Sequence, residues 1–268
     1  MIRLTVSNQR GGVAKTTTAI TLARCWADEG LKVLLIDTDP QASIHSLIGA
    51  KPKQFLVDFL VNGLAFTECL TKVHDNIDLL ASSRDTNRAE DLISTQMARE
   101  HSFIHAFEPN EDGYDVVLID VAPSIGLFQA CAMMYTKDVL VPVGMEMLSI
   151  QGALASINAA DSLNHFFYKD RKEVRTIGTL PVMVDRRMQM TSTILEALNG
   201  IETRHSVPTL PWIRTDSSVV KAGRQRQFLQ DFDAKSRALE DYKALAQKLR
   251  EPVTSEAELN VHGAPEAV

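Results

Sequence analysis

The sequence predicts an α/β protein built on one doubly wound, mainly parallel sheet with helices on both faces. Three observations predict it. Short apolar runs rich in β-branched residues alternate with longer stretches of helical period along the chain. The first run, Ile2 to Val6, leads into a turn holding Gly11 and Gly12, and Lys15-Thr16-Thr17 then opens a helical stretch. Two later runs end in carboxylates, Asp37 and Asp120, and ligands in open α/β sheets bind at the C-terminal ends of the strands.

Taken in order, Ile2 to Val6 reads as a buried parallel strand. Thr16 to Glu29 reads as the first helix, with Ile20, Leu22, Ala23 and Trp26 inward and Gly30 as its C-cap. Lys32 to Ile36 is a second strand, and Gln41 to Leu47 starts another helix. Residues 51–72 read as short helices around an apolar patch, and their Phe/Leu stripe as ordinary core. Asn76 to Ala81 alternates as a strand. Tyr114 to Ile119 and Val139 to Val143 are further central strands, with a helix over Gly126 to Tyr135 between them. The spacing then predicts a long helix over Ser149 to Phe167, a strand over Thr176 to Val184, and a helix over Met188 to Leu198. A last short strand is expected over Pro208 to Ile213. Asp233 to Leu249 is an amphipathic closing helix with Ala238, Tyr242, Leu245 and Leu249 inward. Residues 1–250 are expected to form one domain. Residues 251–268, with four glutamates, two prolines and no Lys or Arg, are expected to be a disordered acidic tail.

Strand, glycine turn, Lys-Thr and helix is the order that a phosphate-binding loop needs. Small residues let successive backbone N–H groups point at phosphate oxygens, and the helix N-terminus adds orphan donors and a positive partial charge. Lys15 would reach the β/γ-phosphates and the Thr16 hydroxyl would hold Mg²⁺. The loop departs from G-x-x-x-x-G-K-[ST], because Gln9 and Ala14 occupy the two glycine positions. Alone, it could be a strand-to-helix turn with an incidental lysine. Asp37 and Asp120 could likewise be helix caps or turn residues. Two strand-end aspartates beside one Lys-Thr loop favour a nucleotide site.

Three ordered motifs carry a family resemblance. The loop reads Arg10-Gly11-Gly12-Val13-Ala14-Lys15-Thr16, the second strand runs into DTDPQ (Asp37 to Gln41), and the Tyr114 strand runs into DVAPS (Asp120 to Ser124). In these the chain resembles the ParA/MinD group of deviant-Walker P-loop ATPases, closest to ParA-type partitioning ATPases. Asp138 to Gly152 and Ile213 to Gly223 are similar as well, so the likeness runs from about Met1 to Leu249. One departure stands out: the signature lysine of KGGxxK[ST] is Arg10 here. The family's helix after the Asn76 strand fits Asn87 to Phe107.

The resemblance implies ATP and Mg²⁺ as cofactors and slow, partner-stimulated hydrolysis. It implies that Thr17 and the Gly11–Lys15 backbone hold the remaining phosphate oxygens. Asp120 would hold Mg²⁺ through water, with Asp37 beside it, and Asp39 would orient the attacking water. Two subunits would close over two ATP molecules, with Arg10 reaching the partner's phosphates in place of the lysine. In the ParA mode the ATP dimer binds DNA without sequence preference, and a ParB-like adaptor stimulates release.

Bulk properties bound the rest. The chain has 268 residues, 45% of them hydrophobic, enough for a full single-domain core. Its net charge is −6, yet residues 171–226 hold ten Lys/Arg against five Asp/Glu. That basic excess makes Arg186, Arg187, Arg214, Lys221, Arg224 and Arg226 the candidate DNA contacts. Cys25, Cys69 and Cys131 are far apart without CxxC spacing, so they read as buried hydrophobes in a reducing cytosol. Arg3 is followed directly by strand and loop, so no signal peptide is expected; no apolar run is long enough to span a bilayer. A MinD-like membrane-cycling mode needs a basic amphipathic C-terminal segment, and the tail after Arg250 is acidic. DTDPQ and the absence of ligand cysteines argue against a metabolic enzyme on the same scaffold. With no helix-turn-helix before the loop, operator binding is not expected.

Overall fold

The computed structural model describes residues 1–250. The expected disordered tail, residues 251–268, lies outside the described residues. Seven strands form one sheet: β1 (Ile2–Val6), β2 (Val33–Asp37), β3 (Leu70–His74), β4 (Ile77–Leu80), β5 (Val116–Asp120), β6 (Asp138–Val143) and β7 (Arg175–Pro181). Their order is β3-β4-β2-β5-β1-β6-β7, with only the β3–β4 pair antiparallel. The doubly wound, mainly parallel sheet is therefore as expected. Every residue of β2 and β5 is buried, the signature of strands covered on both faces.

Eleven α-helices cover the sheet among the described residues: α1 (Lys15–Asp28), α2 (Ser43–Ile48), α3 (Leu56–Leu60), α4 (Thr86–Ser94), α5 (Ser102–Phe107), α6 (Leu127–Thr136), α7 (Met147–Tyr168), α8 (Gln189–His205), α9 (Ser217–Arg224), α10 (Leu229–Phe232) and α11 (Arg237–Lys248). On one face α1 and α11 share a core around Trp26 and Tyr242, both fully buried. Trp26 Nε1 donates to the Ala246 carbonyl at 3.1 Å, which satisfies the polar end of a side chain whose burial contributes a few kcal/mol. The opposite face carries two further clusters, one of them aromatic, with Phe59, Phe66, Phe103 and Phe107 ring on ring. The Phe/Leu stripe of residues 51–72 is thus core. All three cysteines are free and buried.

Four expectations about elements need correction. Residues 51–72 end in a strand, β3, because Leu70–His74 pairs with β4 across a tight turn. The helix expected over Asn87 to Phe107 is broken between α4 and α5, where Ala98 adopts φ 52° and the Arg99 carbonyl accepts from Cys131 Sγ. Pro208 to Ile213 makes only an isolated bridge, Thr179 to Thr209, followed by one between Val184 and Arg214. Pro208 and Pro211 lack the N–H donors a ladder needs. Helix α8 runs past Leu198 to His205, and Arg204 Nε donates to the Gly200 carbonyl in its last turn.

Candidate active site

The C-terminal ends of β1, β2 and β5 converge on one cleft. β1 and β2 flank β5, and the register sets Val6 and Asp37 both beside Asp120. Asp37 and Asp120 are both essentially inaccessible. Burial is the main reason both carboxyls are pushed above the ordinary carboxylate range, and their mutual repulsion adds to it at Asp37. Asp37 is partly compensated: Oδ1 accepts from Asp39 N at 3.0 Å and Oδ2 from Ile44 N, in the first turn of α2, at 3.3 Å. Asp120 has no such relief. Neither of its oxygens has a hydrogen-bond partner among the described residues. The Thr16 hydroxyl and the Lys15 ammonium favour its charged form without closing a hydrogen bond to it.

Two adjacent buried carboxyls, one of them without a hydrogen-bond partner, favour a cation beside them. Above the unfolded carboxylate range the pair costs the fold stability as pH rises, since folded-state pKa values are raised. A bound cation removes that cost. Among the described residues no group of three or more His, Cys, Asp or Glu could hold a metal ion. Mg²⁺ usually keeps several waters and takes one or two carboxylates plus substrate phosphates, which such a sparse donor set would suit. Thr16 and Asp120 are the chain's own candidates for it, with Asp37 alongside.

The loop between β1 and α1 has the backbone features that an anion site needs. Gly12 has φ 77°, and Ala14 is forced into the left-handed region at φ 56°, ψ 27°, where the ordinary loop has glycine. No side chain caps α1, so its first-turn N–H groups remain as donors. Lys15 is buried, and Nζ donates to the Arg10 carbonyl at 2.9 Å. Burial lowers its pKa, while Asp120 and Asp39 pull the other way. Val13 is buried, Gly11 and Gly12 are exposed, and Thr16 and Thr17 lie between. Asp39 Oδ1 accepts from Gln41 N at 2.9 Å, and the residue lines the cleft.

Helix α7 fixes the first half of the loop. Asn8 Nδ2 donates to the Pro142 and Ser149 carbonyls at 2.7 and 3.2 Å, and Asn8 Oδ1 accepts from Arg10 N at 2.9 Å. Gln9 N donates to the Gly152 carbonyl at 3.3 Å. A Cβ on Gly152 would lie 2.2 Å from Asn8 Oδ1 and 2.9 Å from Arg10 N. Gly152→Ala is therefore expected to displace the loop and lower ATP turnover by about a hundredfold, the cost of ~1 Å misplacement in a site. Steady-state turnover beside a melting curve checks this; normal turnover would show that the loop tolerates the shift.

The cleft encloses about 490 Å³, a size that suits a nucleotide. Its wall opposite the loop comes from residues without an assigned role in the sequence: Val182, Met183, Ile213, Val219 and Val220. For Ile213, Val219 and Val220 the only advance signal was the general likeness of residues 213–223 to the family; Val182 and Met183 carried none beyond the strand expected over Thr176 to Val184.

Arg10 and the six candidate DNA contacts separate in the structure. Arg10 Nε donates to Glu146 Oε1 at 2.9 Å. Arg214 lines the cleft and is held by Asp241 and Glu240, at 2.8 and 3.1 Å. Arg187 pairs with Asp185, and Arg186 lies over the Trp212 ring at 5.7 Å. Lys221, Arg224 and Arg226 are exposed and make no ion pair among the described residues.

A family model described as an AAA domain matches residues 1–170. Chromosome-partitioning ATPase Soj of Thermus thermophilus is 31% identical over 186 residues, 69% of this chain and 70% of its own. Chromosome partitioning protein ParA of Myxococcus xanthus is 28% identical over 248 residues, 91% and 86% of the two chains. The chain belongs to the ParA/MinD family of P-loop ATPases. Among solved structures, cobyrinic acid a,c-diamide synthase from Mycobacterium smegmatis, with bound ADP and magnesium, superposes with a TM-score of 0.77 at 26% identity, covering 93% and 94% of the chains. For a ParA/MinD-family ATPase, the orphaned Asp120 and the uncapped α1 are what the fold would present to Mg²⁺ and phosphate. No helix among the described residues is long and apolar enough to cross a membrane.

Proposed function

We propose that this ATPase works in the ParA mode, positioning or partitioning a cargo through an ATP-dependent dimer that binds DNA without sequence preference. The chemistry begins with ATP–Mg²⁺ in the cleft. Lys15, the Gly11–Lys15 backbone and Thr17 bind and orient the phosphates, Thr16 and Asp120 orient the cation, and Asp39 aligns the attacking water. Phosphoryl transfer leaves a protein mainly positioning and charge neutralisation to do, and these residues supply both. Arg10 serves as the cation offered to the partner's phosphates, and a ParB-like adaptor stimulates turnover.

The observation that carries the DNA reading is helix α9. Val219 and Val220 on it line the nucleotide cleft, while Lys221 and Arg224 on the same helix are exposed cations, with Arg226 just beyond. Nucleotide and DNA would thus touch one short rigid element. Arg214 is left out of the test, because its loss would also break its ion pairs with Asp241 and Glu240. Replacing Lys221, Arg224 and Arg226 together by Ala is expected to flatten the slope of log affinity against log salt by about 3, near one per lost phosphate contact. Fluorescence anisotropy with ATP over a salt series measures it, and ATP turnover should stay as in the wild type. Salt-insensitive binding, or none with ATP, would instead favour a cargo held by protein contacts or a membrane surface. We weigh the names of two sequence relatives, both chromosome-partitioning proteins, above the synthase name of the solved structure.

A further inference from the structure

We propose that Glu146 is a positioning residue for Arg10: its carboxylate holds the guanidinium against the start of α7 and competes with phosphate for it. This rests on the reading of Arg10 as the cation offered to the partner's phosphates. The pair joins residues 136 positions apart, Arg10 Nε to Glu146 Oε1 at 2.9 Å, with the side chains 42% and 49% exposed. The backbones beneath are not free to move apart. Asn8 is tied to Ser149 and Gln9 to Gly152, Arg10 N donates to the same Asn8 side chain, and Gly152 leaves no room for slippage. Glu146 is itself fixed in extended backbone at the head of α7, its N–H donating to the Gly144 carbonyl at 2.8 Å. Only the two side-chain ends can change partners.

The chemistry of the exchange favours reversibility. Only Nε of the guanidinium reaches Glu146, so the pair is monodentate and a single hydrogen bond is broken when the guanidinium turns to another anion. A phosphate group can take the fork through two parallel bonds, which a single carboxylate oxygen does not match. Half-exposed ion pairs are weak. They still tax binding, because apparent affinity is reduced by the fraction of time Arg10 is free. A lysine would pay differently, since its rotatable point charge has no fork to hold. Glu146 therefore sets how much ATP is needed before the dimer closes.

The test compares wild type, Glu146→Gln, Arg10→Ala and the double variant by light scattering over an ATP series. Glu146→Gln keeps the size and the acceptor for the Ser149 hydroxyl, so the start of α7 and the melting curve without nucleotide should be unchanged. Its ATP midpoint for dimerisation is expected to fall by about threefold. Arg10→Ala should raise the midpoint or abolish the dimer, and the double variant should match Arg10→Ala. An unchanged or raised midpoint in Glu146→Gln overturns the inference, as does the same fall when Arg10 is already Ala. If Arg10→Ala dimerises as wild type does, the reading of Arg10 fails with it. A wild type that stays monomeric with ATP overturns both.

Discussion

Lys15→Ala is expected to abolish ATP binding at ordinary concentrations. Lys15 is the one ammonium buried in the loop, held at 2.9 Å from the Arg10 carbonyl and flanked by Asp120 and Asp39. Burial has already lowered its pKa, so the charge is retained at a cost that phosphate contact offsets. A hydrogen bond to a charged group contributes about 3 kcal/mol at its upper range, which is on the order of a hundredfold in affinity. The loss should exceed that, because without Lys15 the buried Asp120 keeps only the Thr16 hydroxyl to favour its charged form. Calorimetry with ATP–Mg²⁺ measures the affinity, and circular dichroism shows whether the variant is folded. A folded Lys15→Ala protein that binds ATP as tightly as wild type would place the phosphates elsewhere.

Asp39 should separate binding from hydrolysis. Its own N–H is anchored on Asp37 Oδ1 and its Oδ1 accepts from Gln41 N, so its place at the cleft is set by the Asp37 side chain on one side and the Gln41 backbone on the other. Asp39→Ala is expected to bind ATP but turn it over at least about a hundredfold more slowly, the usual effect of losing a positioned group that handles the proton. ATP-loaded protein should then accumulate as a dimer on sizing chromatography. Asp39→Asn sharpens the test, because an amide oxygen can still accept from Gln41 N while the charge is gone. Slow turnover in both variants assigns the effect to the carboxylate; normal turnover in Asp39→Asn would leave only the turn geometry.

Much of this site was legible because its grammar is local. Gly12, Lys15 and Thr16 follow a strand within a few residues, and Asp37 and Asp120 end their strands, so a parallel sheet brings them together whatever the loops do. The Asp37–Asp120 pairing needs only that β2 and β5 be neighbours. Elements with strong period were equally readable: β1, β2, β5, α1, α6 and α7 fall within a few residues of expectation. Where the sequence misled, the deciding partner was distant. β3 exists because β4 offers it an edge, and the break at Ala98 is accompanied by the Cys131 contact to Arg99 rather than by glycine or proline.

The sequence by itself determined the parallel centre of the sheet, the glycine loop with Lys15 and Thr16, and the two strand-end carboxylates, since spacing of 2 and 3.6 residues and short motifs fix them locally. Only the tertiary structure decided which charges are free. Arg214 and Lys221 read alike in a basic stretch, yet α11 brings Asp241 and Glu240 to Arg214, while Lys221 makes no ion pair among the described residues. Arg10 and Glu146 are 136 residues apart, and the bare Cα of Gly152 lets α7 approach the loop closely enough for them to meet. Close packing between segments distant in the chain chooses such partners, and no local pattern encodes it.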